Sequence, residues 1–258
     1  MGEQLRVTIW QHASSLDPAE NRAALAALAP RVTDTDLLVL PEAAARDFGE
    51  PGSALGPYAE PLDGPFATAL ARVAEDRGTA VLGGMFEASE DPDRPFNTLV
   101  LAGAGGTASY RKIHLYDSFG QRESDIVTPG PLTPVVATIG ELPVGLMTCY
   151  DLRFPELARA LSAQGAEVLV LPAAWVAGPG KVDQWRTLVR ARAIENLCWV
   201  VAAAQPGPRY CGHSMVVGPT GDVVAEAGEG EELLHAVLDR DAVADSRHRN
   251  TSLTNRRL

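Results

Sequence analysis

Short apolar, β-branched runs recur along the chain, divided by turn-forming and helix-like stretches. They are "LRVTIWQ" (5–11), "DLLVLP" (36–41), "TAVLGGMF" (79–86), "NTLVLA" (97–102), "PVVATI" (134–139), "PVGLMT" (143–148), "EVLVLP" (167–172), "CWVVAAA" (198–204), "HSMVVGP" (213–219) and "LLHAVL" (233–238). Several hold almost no polar residue, the pattern of strands covered on both faces. Between some of them the period changes to that of a helix. "PAENRAALAALA" (18–29) opens on a proline and is rich in alanine. "GPFATALARVAEDRG" (64–78) aligns Phe66, Leu70, Val73 and Ala74 on one stripe and stops at Gly78. "FPELARALSAQG" (154–165) stops the same way at Gly165, and "KVDQWRTLVRARAIENL" (181–197) aligns Val182, Trp185, Leu188, Val189 and Ile194.

Strand–helix–strand order dominates early, yet strands follow one another directly around 79–102, 134–148 and 213–238. That mixture predicts an α/β protein with two sheets and helices outside them rather than one doubly wound sheet. No low-complexity linker and no repeat of 20–50 residues interrupts the pattern, so one domain over 1–258 is the economical reading.

Composition narrows the function classes. With 22 basic and 33 acidic residues the formal net charge is −11, and no Lys/Arg block stands out before the C-terminus. Nucleic acid and anionic membrane surfaces are poor partners for such a chain. Three cysteines, Cys149, Cys198 and Cys211, form no CxxC pair. A disulfide framework or a zinc site is therefore not expected, and a reducing cytoplasm is. The start, "MGEQLRVTIWQ", lacks the layout of a signal peptide, and no run of about 18 apolar residues exists to span a bilayer.

Chemistry centres on "VGLMTCYDLRFPELARAL" (144–161), where an apolar run stops at Cys149 and a helical pattern begins. A thiol near a helix amino terminus is favoured as thiolate, and nearby backbone N–H groups can hold an oxyanion. The same stretch also reads as a buried structural cysteine. The five histidines offer no strong Cys–His context. A carboxylate can serve as base instead when it is buried. Glu42, directly after "LLVLP", stands where α/β folds place function. Lys112, in "GTASYRKIHLYD", reads as a strand residue sharing a face with Tyr110 while Arg111 points the other way. In isolation, Glu42 also reads as a solvated loop residue and Lys112 as an edge-strand lysine.

In order, "LVLPE", "YRKIHLYD", "ESDIVTPG", "CYDLRFPEL", "LPAAW", "QWRTLVRARAIENLCWVVAAAQ" and "GHSMVVGPTGDVVAEAG" resemble the blocks of the nitrilase, or carbon–nitrogen hydrolase, superfamily over essentially the whole chain. The cysteine block is similar to the amidase and Nit-type ω-amidase branch. The resemblance implies a four-layer α-β-β-α sandwich, usually a homodimer or larger, with no metal and no organic cofactor. It implies a Glu–Lys–Cys triad at Glu42, Lys112 and Cys149, with Glu123 orienting the lysine. It further implies hydrolysis of a small linear carboxamide to acid and ammonia through a thioester. N-carbamoyl amine hydrolysis and nitrile hydrolysis use the same triad, and a catalytically silent scaffold member is the reading from a different class. Pocket candidates are Tyr150, the segment Ala173–Trp175 with Ala174 and Trp175 foremost, and Phe119. Arg153 is expected to pair with Asp151 or Glu156, or else to hold a substrate carboxylate. Trp185, Arg190 and Arg192 are expected to serve packing or solvation. The basic tail "SRHRNTSLTNRR" is expected to pack across a dimer neighbour.

Overall fold

The computed structural model describes residues 4–103 and 106–257. Residues 1–3, which begin the stretch read for a leader, and residue 258, the far end of the 1–258 unit, lie outside the described residues. The strands are β1 (Gln4–Gln11), β2 (Leu37–Val39), β3 (Ala80–Glu87), β4 (Phe96–Gly103), β5 (Gly106–Arg111), β6 (Val136–Ile139), β7 (Leu142–Leu146), β8 (Val168–Ala173), β9 (Trp199–Ala204), β10 (Met215–Val217), β11 (Val223–Glu226) and β12 (Glu232–Asp239). The helices are α1 (Pro18–Leu28), α2 (Pro65–Arg77), α3 (Pro155–Ala163), α4 (Lys181–Asn196) and α5 (Arg240–Arg249).

Two mixed six-stranded sheets form, ordered β12-β1-β2-β3-β4-β5 and β11-β10-β9-β8-β7-β6. In the first, β1, β2 and β3 run parallel, and in the second β7, β8 and β9 do. The period-2 alternation sorts side chains between layers. On β2, Leu37 and Val39 join the large cluster shared with β7, β8 and β9, whereas Leu38 packs with Phe66, Leu70 and Val73 of α2. Helices α3 and α4 pack on the second sheet, with Leu157, Leu161, Trp185 and Val189 in the large cluster. The result is the α-β-β-α sandwich that the family resemblance implied, with the two sheets and outer helices the pattern predicted. Gly78 caps α2 at φ +62, as its position after the apolar stripe foretold.

Two elements went unread in the sequence. β11 carries exposed Val223 and Val224 and reads as turn residues beside "GPTGD". α5 is polar almost throughout and buries only Val243. Its anchor is Arg247, whose guanidinium donates to the carbonyls of Ala166 and Leu197. The front of the basic tail is thus helical and tied to its own subunit, which the expectation of a tail crossing to a neighbour did not include. Among the described residues, no helix is long and apolar enough to cross a membrane.

Candidate active site

The loop after β2 carries Glu42 inward until it is 1 % exposed. Gly84 on β3 makes this passage possible: a Cβ there would stand 2.7 Å from the Ala43 nitrogen and 3.0 Å from the Glu42 Cα. Lys112, expected within a strand, instead directly follows the last residue of β5, and is 2 % exposed. Arg111 does point the other way, donating through Nε to Glu87 at 2.9 Å. Lys112 Nζ donates to Glu42 Oε1 at 2.9 Å and to Glu123 Oε2 at 2.8 Å. Burial alone would push this ammonium down, but Glu123 and Glu42, with Cys149, outweigh it and hold its pKa well above the ordinary lysine value. The lysine is therefore a fixed cation at any working pH.

Glu42 is fully engaged. Besides Lys112, its Oε1 accepts from Asn97 Nδ2 at 2.7 Å, and its Oε2 accepts from the Ala174 backbone N–H at 2.7 Å. Asn97, on β4 and 1 % exposed, also donates to Glu123 Oε1 at 3.1 Å. Sequence reading missed Asn97 because an asparagine inside "PFNTLVLA" looks like a strand residue. The available signal was its polar amide within an otherwise apolar run, a group that burial tolerates only with partners.

Cys149 is buried and adopts φ +45, a conformation that costs a non-glycine residue about 1–3 kcal/mol. It opens a 3-10 turn, Cys149–Arg153, and α3 starts only at Pro155. The expected dipole-stabilised thiolate is not what results. Burial, then the Glu42 charge, push the thiol well above its ordinary value, against a smaller lowering pull from Lys112. Burial and the neighbouring Glu42 charge thus favour the protonated thiol at Cys149. Cys198 and Cys211 are buried too, and burial pushes both up to about 12. Burial thus disfavours the reactive thiolate at both.

The turn is held from two sides. Asp151, wholly buried, accepts from Thr148 N–H at 2.9 Å, Tyr110 O–H at 2.6 Å, His114 N–H at 3.1 Å and His114 Nδ1 at 2.7 Å. From α4, buried Arg192 donates twice to the Leu152 carbonyl, at 3.0 and 2.7 Å. Arg192 is thus neither solvated nor mere packing. Arg190 bonds the Gly221 carbonyl, and Trp185 is a core residue donating to the His213 carbonyl.

A cavity of about 450 Å³ opens over these groups, lined by Glu42, Lys112, Glu123, Cys149, Tyr150, Ala174, Trp175, Lys181 and Tyr210 among others. Among the described residues, no histidine lines it. Tyr150, Ala174 and Trp175, the pocket candidates of the sequence, are among its lining residues. Phe119 does not wall the cavity: it is 67 % exposed, on a left-handed turn completed by Gly120. Its ring covers the Lys181 ammonium instead, 4.0 Å away. Arg153 pairs with neither Asp151, whose oxygens are taken, nor Glu156. It donates to Gln184 at 2.7 Å and lies 4.8 Å from the Trp175 ring. Lys181 Nζ also donates a long hydrogen bond, 3.4 Å, to the Tyr116 hydroxyl. Burial and then Arg153 push its ammonium below the ordinary value. Among the described residues, no carboxylate pairs with either cation.

Comparison with known proteins places this geometry in context. Residues 6–248 match the family described as carbon-nitrogen hydrolase. Hydrolase Rv0480c of Mycobacterium tuberculosis is 40% identical over 271 residues, covering 97% of this chain and 95% of that protein. The deaminated glutathione amidase of Escherichia coli O157:H7 is 41% identical over 228 residues, covering 87% and 86%. Among solved structures, a Glu→Gln mutant of the amidase from Nesterenkonia sp. AN1 superposes with a TM-score of 0.81 at 31% identity, covering 99% of this chain and 95% of that one. That amidase carries the acetamide moiety of fluoroacetamide, added covalently at its active-site cysteine.

Proposed function

The chain belongs to the carbon–nitrogen hydrolase family, and from that premise we propose that it is a cysteine-dependent amidase converting a small linear carboxamide to carboxylic acid and ammonia. The observation that carries the reading is the convergence of Glu42, Lys112, Glu123 and Cys149 on one buried point of the cavity. Glu42 takes the Cys149 proton as sulfur attacks the amide carbon. The oxyanion is held by the Lys112 ammonium and by the Tyr150 N–H, which lies in the first turn after Cys149 where no intrahelical acceptor precedes it. Glu42 returns the proton to the departing nitrogen, the C–N bond breaks, and a thioester remains. Water then attacks, giving its proton to Glu42, and the C–S bond breaks to restore the thiol. Glu123 and Asn97 keep Lys112 and Glu42 in place. No step calls on a metal or an organic cofactor. Three buried, unpaired cysteines support a cytoplasmic setting, and the family likeness supports a homodimer or larger assembly.

The substrate's far end carries a carboxylate in this reading. Lys181 lines the cavity and feels the charge of Arg153 nearby; among the described residues neither has a carboxylate partner, and Arg153 Nε is buried without a hydrogen-bond partner. Like charges held together in a half-desolvated cleft are costly unless an anion completes them. Ammonia release from glutaramate, succinamate, propionamide, a carbamoyl amino acid and a nitrile tests both parts. Glutaramate or succinamate is expected to exceed propionamide in kcat/KM by about tenfold to a hundredfold, one to two charge-assisted hydrogen bonds. Lys181→Met is expected to raise KM for the acidic amide by about tenfold while leaving propionamide within twofold. Equal turnover of neutral and acidic amides would remove the carboxylate. Ammonia from none of the five would remove the amidase.

A further inference from the structure

We propose that His114 is a positioning residue that, through Asp151, locks the lysine segment to the nucleophile turn. The proposal rests on the reading of Cys149 and Lys112 as reacting groups, and it concerns a residue that lines no part of the cavity. Lys112 belongs to the end of one sheet and Cys149 to the end of the other, so a device must fix their separation. Asp151 is that device. Its four contacts come from Thr148, next to Cys149, and from Tyr110 and His114, which flank Lys112 by two residues on either side. One carboxylate, two residues past the nucleophile, thereby ties both sheets together at the level of the chemistry.

Three of the four partners are the Tyr110 hydroxyl and two backbone N–H groups, which are donors here. The fourth lone pair faces His114 Nδ1 at 2.7 Å, so Nδ1 carries the proton. The imidazole lies flat on Phe154, with centroids 3.8 Å apart and planes 7° apart, and Phe154 meets Tyr150 edge-on at 5.3 Å. His114 therefore braces the turn twice: by the hydrogen bond to Asp151 and by the stack against the residue that precedes α3. A turn that keeps Cys149 at φ +45 persists only where its surroundings over-determine it. Loss of one brace is expected to let the thiol drift from Lys112 and Glu42 rather than unfold the sheets.

The test compares His114→Asn, which offers a side-chain N–H at the Nδ1 position, with His114→Gln, which offers one at the Nε2 position, and with His114→Ala. Each is measured for kcat and KM with the best amide of the panel. Each is also measured for the rate at which iodoethanol alkylates Cys149, read by peptide mapping. The second readout is independent of the substrate assignment. His114→Ala and His114→Gln are expected to lose about tenfold to a hundredfold in kcat with KM within twofold, the loss typical of a reacting group displaced by about 1 Å. Their alkylation rates are expected to change severalfold, while His114→Asn stays within about threefold of the parent in both. Should Asn and Gln behave alike, or should the loss fall on KM, the positioning role is wrong. The alkylation readout applies even to a chain that turns over no amide, which separates failure of this proposal from failure of the amidase reading. If His114→Ala does not fold, the Asn–Gln comparison still decides.

Discussion

Glu42→Gln is expected to lower kcat for ammonia release by about 10³-fold or more while the chain stays folded. General-base catalysis supplies roughly 10²–10⁴ in rate, and here one group serves both acylation and deacylation. The substitution is not electrically neutral to its surroundings. Glu42 Oε1 accepts from Lys112 and Asn97, and Oε2 accepts from the Ala174 N–H. A glutamine has one oxygen and one NH₂, so one side of it must set a donor against a donor. Added to this, burial raises the thiol of Cys149, so its attack depends on a base. Steady-state kinetics with the best amide, beside thermal melting, measures both effects. Activity within tenfold of the parent would mean that Glu42 is not the base.

Lys112→Met is expected to cost both activity and stability. It leaves Glu42 and Glu123, both buried, facing each other with only the Asn97 amide between them. Removing one partner of a buried ion cluster typically costs about 3–5 kcal/mol, since the remaining charge is desolvated and uncompensated. The oxyanion loses its cation as well, so kcat is expected to fall by about 10²–10³-fold or more. Urea denaturation gives the first quantity. A Lys112→Met/Glu123→Gln chain separates the two: it is expected to regain most of the stability, having one buried charge fewer, and none of the activity. If the double variant turned over amide at the parental rate, the cation would have no part in the chemistry.

The contrast between these residues and their neighbours shows what a sequence carries. Strands, helices and their layering were legible because burial imposes a period of two or of 3.6 on apolar residues, and both sheets are well buried. β11 and α5 escaped because neither buries much: β11 is an edge strand with exposed valines, and α5 hides only Val243. Glu42, Lys112 and Cys149 stood out as polar or reactive groups at the ends of apolar runs. What joins them was not visible, because Asn97, Asp151 and Arg192 act through contacts 26 to 55 residues away in the chain. Local pattern also misled in two places. The thiol was expected beside a helix dipole, but a 3-10 turn stands between Cys149 and α3, and burial decides its ionisation. Arg153 was expected to pair with a nearby acid, but Asp151 is already saturated by donors from β5 and beyond.

The central claim is a thioester on Cys149, and hydroxylamine partitioning reaches it most directly. During turnover of the best amide, hydroxylamine is added in increasing amounts, and acid, hydroxamate and ammonia are each counted. A thioester predicts that hydroxamate rises at the expense of acid, that their sum equals the substrate ammonia released, and that all three vanish in Cys149→Ala. Acid alone accounting for the ammonia at every hydroxylamine concentration, or turnover surviving in Cys149→Ala, would contradict it.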